Sequence, residues 1–148
     1  PDDVAAVACG APGGWFILPI DAYAETPLEY PLGTADRDRF VNGKDVSAAL
    51  SRVPILIFAG AEDTNNAVPY LDAYTYEDRV TIERLFGVDP IRRYEEAATI
   101  WREERERTGE SAPFVLRFYP ETGHTFSDEM KHDVIRFIES ALETDREP

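Results

Sequence analysis

The chain is poor in several residue types, and each shortage excludes something. Its single cysteine, Cys9, rules out an internal disulfide. One cysteine and two histidines, His124 and His132, argue against a structural zinc site. No apolar run approaches the roughly 18 residues that a membrane span requires. Lysine is scarce: Lys44 and Lys131 are the only two among 15 basic residues. Acidic residues number 29, for a net charge of −14. That balance disfavours nucleic acid and anionic membranes as partners, because neither would be attracted. No metal, nucleotide or flavin signature is visible, so no cofactor is expected. An acidic, lysine-poor surface suits a salt-rich cytoplasm and an ordinary acidic protein equally. A cytoplasmic protein is the expectation. The chain opens at Pro1 without a methionine and runs straight into apolar sequence. The expected N-terminus therefore lies upstream.

The 148 residues present are enough for one domain with a core. Val4 to Cys9 is a short apolar run stopped by Gly10-Ala-Pro-Gly-Gly14, which reads as a buried parallel strand. Residues 15 to 44 are irregular, broken by Pro19, Pro27, Pro31 and Gly33, yet rich in aromatics. A loop this long is uncommon without a function. A short helix is expected over Asp45 to Ser51. Ile55 to Ala59 reads as a second buried strand and Phe114 to Tyr119 as a third. Between them, Glu77 to Phe86 reads as a helix closed by Gly87. A second helix starts at Asp89-Pro90, a cap followed by proline at the first helical position. Ile91, Tyr94, Ala98 and Trp101 mark its inner face; Glu95, Glu96, Arg102, Glu103 and Glu106 mark a solvated one. Ser127 caps a last helix with a stripe of Met130, Val134, Phe137, Ile138 and Ala141. Strands alternating with helices imply an α/β fold with a mainly parallel sheet. Three strands are few for this length, and the first would have an exposed apolar edge, as if a larger sheet had been cut.

Two turns carry the chemistry. Val53-Pro-Ile-Leu-Ile-Phe-Ala-Gly-Ala-Glu-Asp63 ends an apolar run on a carboxylate. Phe114-Val-Leu-Arg-Phe-Tyr-Pro-Glu-Thr-Gly-His124 ends another on an imidazole. Strand C-termini in open α/β sheets are where functional groups gather. Asp63 is a candidate to hold an imidazole in one tautomer, or alternatively a turn residue accepting from Asn65 or Asn66. Glu62 is the substitute acid, although adjacent residues point apart. His124 is a candidate general base, with Gly123 giving the sharp turn before it, or alternatively a histidine capping the turn before the last helix. His132 falls on the polar side of that helix. An acid followed by a histidine is the back half of a Ser…Asp…His order. The front half is missing, since no G-x-S-x-G occurs. The nearest approach, Gly109-Glu-Ser111-Ala-Pro113, precedes a strand instead of following one and comes after the acid. Cys9 reads as a small core residue.

On these segments the chain resembles the C-terminal half of an α/β-hydrolase-fold serine hydrolase, nearly end to end. Val4 to Gly13 resembles the strand after the nucleophile helix, and residues 15–50 fall where the family inserts a lid. Tyr30-Pro-Leu-Gly and Glu62-Asp63-Thr-Asn-Asn-Ala-Val-Pro-Tyr70 resemble dienelactone-hydrolase- or polyester-depolymerase-like members. The resemblance implies His124 as base and Asp63 as its partner. It places the serine and the oxyanion donors in an N-terminal half upstream of Pro1, so the 148 residues alone are expected to be inactive. The implied substrate is a small carboxylic ester, with Trp15, Phe16 and Tyr30 as candidate pocket residues. A serine peptidase of the same fold and a non-catalytic small-ligand-binding protein are the alternatives. A complete flavodoxin-like domain is disfavoured by the thin sheet.

Overall fold

Ile55–Gly60 is buried along its whole length, because it lies in the middle of a sheet covered on both faces. The structure, a computed structural model, describes residues 4–10, 17–36, 52–65, 74–110 and 112–144. Within these, the chain order is β1 (Val7–Gly10), β2 (Ala22–Tyr23), β3 (Thr26–Pro27), β4 (Ile55–Gly60), α1 (Tyr76–Phe86), α2 (Pro90–Thr108), β5 (Phe114–Tyr119) and α3 (Asp128–Thr144). Strands β1, β4 and β5 form a three-stranded sheet in that order, parallel throughout. The α/β class and the three parallel strands read from the sequence are therefore present. The expected helix over Asp45 to Ser51 lies outside the described residues.

Side chains alternate between two cores. Ile55, Ile57 and Phe114 face a layer made by α1, α2 and the 17–36 segment, with Leu18, Leu28, Ile82, Ala97 and Trp101 in its interior. Leu56, Phe58 and Tyr119 face α3, where Met130 is buried and Val134 and Phe137 are half-buried. The Tyr119 hydroxyl donates to Asp133 on α3 at 2.7 Å, and Arg117 pairs with the same carboxylate at 2.5 Å. Burial, helped by Asp133, pushes the Tyr119 phenol up to about 12. The hydrogen bonds from Tyr119 and Arg117 hold the Asp133 carboxyl below its ordinary range. At the other edge β1 is short and only partly covered, with Val7 41% exposed. It is thus less buried than the apolar run suggested, and it forms the exposed apolar edge expected of the first strand. No strand among the described residues pairs with its outer edge.

The helices start where the sequence signals them. Thr75 and Asp78 form a reciprocal capping box on α1. Asp89 accepts from the Ile91 amide at the start of α2, with Pro90 next in line. Ser127 accepts from the Met130 amide at the start of α3. The N-terminal edge of the sheet is held by a residue that sequence periodicity does not single out. Arg105 on α2 is buried beside the Trp101 and Phe114 rings, which stack on each other at 5.2 Å. Its guanidinium donates to the carbonyls of Ala112 and Val53, the residues just before Pro113 and Pro54 at the starts of β5 and β4. Burial lowers Arg105 to about 10, so it remains charged at neutral pH.

The segment expected to be irregular contains a small antiparallel hairpin, β2 with β3. Its turn residues Ala24 and Glu25 both have positive φ, 46° and 64°. Primed hairpin turns usually advertise themselves with Gly or Asn, and this one does not. Tyr23 from the hairpin stacks on Phe86 at 4.7 Å and donates to Glu96. The Trp101 indole donates to the Ile17 carbonyl. These contacts dock the 17–36 segment onto α1 and α2.

Candidate active site

Both turns that carry the candidate residues leave the sheet at the same end, because β4 and β5 are parallel neighbours in register from Ile55↔Phe114 to Gly60↔Tyr119. Backbone bonds then stitch the turns together. The Ala61 amide donates to Tyr119 O at 2.8 Å and the Glu62 amide to Thr122 O at 2.9 Å. This close approach depends on Gly60. A Cβ at Gly60 would lie 2.1 Å from Thr122 O and 2.4 Å from Gly123 O, both backbone atoms with little room to move. Gly123, the glycine expected to make the sharp turn, has no such role: its φ is not positive and a Cβ there would meet nothing within 4 Å. The left-handed residue of that turn is Glu121, with φ 53°.

Gly60→Ala should therefore destabilise the fold by about 1–3 kcal/mol, the usual cost of overpacking. Gly123→Ala should be nearly neutral. Urea unfolding midpoints compare the two directly; equal midpoints would show that the turns do not depend on the Gly60 contact.

The stitched turns bring Asp63 and His124 together. His124 Nδ1 lies 2.9 Å from Asp63 Oδ2. Asp63 is 8% exposed, and the imidazole 59%. The second carboxylate oxygen, Oδ1, accepts the Asn65 amide at 2.9 Å. The two roles considered for Asp63, imidazole partner and turn residue, are thus both filled, one by each oxygen. Glu62, the alternative acid, is exposed. His132 is exposed on α3.

The carboxylate fixes the chemistry of the ring. An ionised carboxylate only accepts, so Nδ1 carries the hydrogen and donates it. In the neutral ring Nε2 then holds the lone pair, on the side away from Asp63. Asn65 Nδ2 lies 3.4 Å from that nitrogen. An oriented imidazole with a basic Nε2 can take a proton from a hydroxyl or thiol brought to it.

Beside the pair is a cavity of about 510 Å³, within the range of small-ligand pockets. Its lining includes His124 and the apolar side chains of Ala8, Phe58, Phe126, Met130 and Val134. Phe58 and Phe126 stack with centroids 5.6 Å apart. This cavity lies on the α3 side of the sheet. The sequence-based choice of pocket residues pointed to the opposite, loop side. Tyr30 is 52% exposed and does not line the cavity. Trp15 and Phe16 lie outside the described residues, as does Ser111. Phe58 and Met130 read as ordinary core from their spacing, and Phe126 falls in a loop where no pattern marks it. Among the described residues no group of three or more His, Cys, Asp or Glu could hold a metal ion. No helix among them is long and apolar enough to cross a membrane. Comparison with protein-family models, curated proteins and solved structures returned no match.

Proposed function

We propose that this chain is the C-terminal half of an α/β-hydrolase-fold serine hydrolase that acts on carboxylic esters. The observation that carries the reading is the 2.9 Å contact between Asp63 and His124, delivered by the ends of two adjacent parallel strands in the order acid, then histidine. In this reading His124 Nε2 takes the proton of a serine hydroxyl as that oxygen attacks the ester carbonyl. Asp63 stabilises the imidazolium that forms. The imidazolium then gives the proton to the leaving alcohol. The serine and the oxyanion donors come from the N-terminal half of the full-length protein. Ser127, which lies near His124 in the sequence, is engaged as a helix cap. The apolar wall of Phe58 and Phe126 beside the imidazole suits an acyl or aryl group better than a charged one.

The test is covalent labelling of the full-length protein with a fluorophosphonate. The serine oxygen attacks phosphorus and fluoride leaves, giving a mass increase on one peptide. The expected label sits on a serine outside these 148 residues, and the 148-residue chain alone takes none. A full-length protein that resists the reagent yet binds a small apolar ligand would favour the non-catalytic alternative, which the apolar cavity also suits.

A further inference from the structure

Three hydrogen bonds close a ring around the imidazole. His124 Nδ1 meets Asp63 Oδ2 at 2.9 Å. Asp63 Oδ1 accepts from the Asn65 backbone amide at 2.9 Å. The Asn65 side-chain Nδ2 meets His124 Nε2 at 3.4 Å. A single residue thus braces the acid with its main chain and reaches the basic nitrogen with its side chain. With Nδ1–H committed to the carboxylate, Nε2 has a lone pair to offer, and a primary amide N–H is a fitting donor for it.

We propose that Asn65 is the resting-state partner of the general base. Its side-chain amide caps the Nε2 lone pair and has to swing off before a hydroxyl can hand its proton to that nitrogen. This rests on the hydrolase reading for its catalytic meaning, but the contact itself exists without it. Asn65 is exposed, so its side chain has solvent to swing into. Its backbone amide can stay on Asp63 while the side chain rotates, so the acid keeps its brace when the base is released. Asn65 is in this sense a positioning residue. It touches no reacting atom of the substrate, and it competes with the nucleophile for one lone pair.

Diethyl pyrocarbonate tests this on the 148-residue chain, because it acylates neutral imidazole nitrogen and Nε2, with Nδ1 committed to Asp63, is the nitrogen whose lone pair it can reach once Asn65 is off. His132, exposed on α3, is a built-in reference. At pH 8, where an ordinary imidazole is neutral, the ratio of His124 to His132 modification rates is read by mass spectrometry. Asn65→Ala should raise the ratio by about twofold to tenfold, the factor equivalent to one net hydrogen bond. Asn65→Leu keeps the size but offers no N–H, adds no charge beside the imidazole, and should raise it too. A merely structural role for Asn65 would leave the ratio alone in both. An unchanged ratio in both folded variants overturns the proposal. A raised ratio in a protein whose full-length form takes no phosphonate label would keep Asn65 on Nε2 and remove the hydrolase reading instead.

Discussion

Replacing His124 by alanine in the full-length protein should lower kcat for a short-chain aryl ester by about 10⁴- to 10⁶-fold. The size follows from what the ring does. On the proposed reading it takes the nucleophile's proton, and a serine hydroxyl is a poor nucleophile until that proton leaves. The loss corresponds to about 5–8 kcal/mol of barrier. Stability should change far less, within about 1 kcal/mol, because the ring is 59% exposed and its removal opens no core cavity. Activity and stability therefore separate in this variant. A kcat within tenfold of the wild type, with the fold intact, would remove His124 from the mechanism.

Arg105→Ala should have the opposite signature. The guanidinium satisfies the carbonyls of Val53 and Ala112 at the start of two strands and packs against the stacked Trp101 and Phe114 rings. A buried carbonyl stripped of its donor costs about 1–3 kcal/mol, and the lost side chain leaves a cavity as well. The expected loss is about 3–5 kcal/mol, a large part of a typical domain stability of about 5–15 kcal/mol. The site lies at the other end of the strands, so kcat measured at a temperature where the variant is folded should be unchanged. Arg105→Lys should recover only part of the loss, since an ammonium replaces a fork that spans two carbonyls. Urea unfolding reads the stability. A midpoint like the wild type's for Arg105→Ala would mean the carbonyls find other partners.

Much of this was legible from residues alone, for identifiable reasons. Continuous apolar runs gave β4 and β5, and cap residues gave the starts of α2 and α3, because these signals are local. The pairing of Asp63 with His124 was legible because parallel adjacent strands deliver their following turns to one place. Arg105 was not, because a charged residue on a helix reads as solvated until the carbonyls it serves are known. The hairpin at Ala22 to Pro27 was hidden by a turn without glycine or asparagine. The turn was expected to depend on Gly123, but the tight contact is at Gly60, since close approach between two backbones is a tertiary fact. The cavity beside His124 lies on the α3 face of the sheet, where a stripe of helical spacing looks like core whether or not it is filled.

The most direct test of the central claim is the tautomer of His124. Its ¹⁵N and ¹H imidazole resonances in the neutral ring report which nitrogen carries the hydrogen. The account predicts the Nδ1–H form, held by Asp63, with Nε2 bare of hydrogen and ready to accept. A neutral ring found in the Nε2–H form would contradict it, because that nitrogen could then take no proton from a nucleophile.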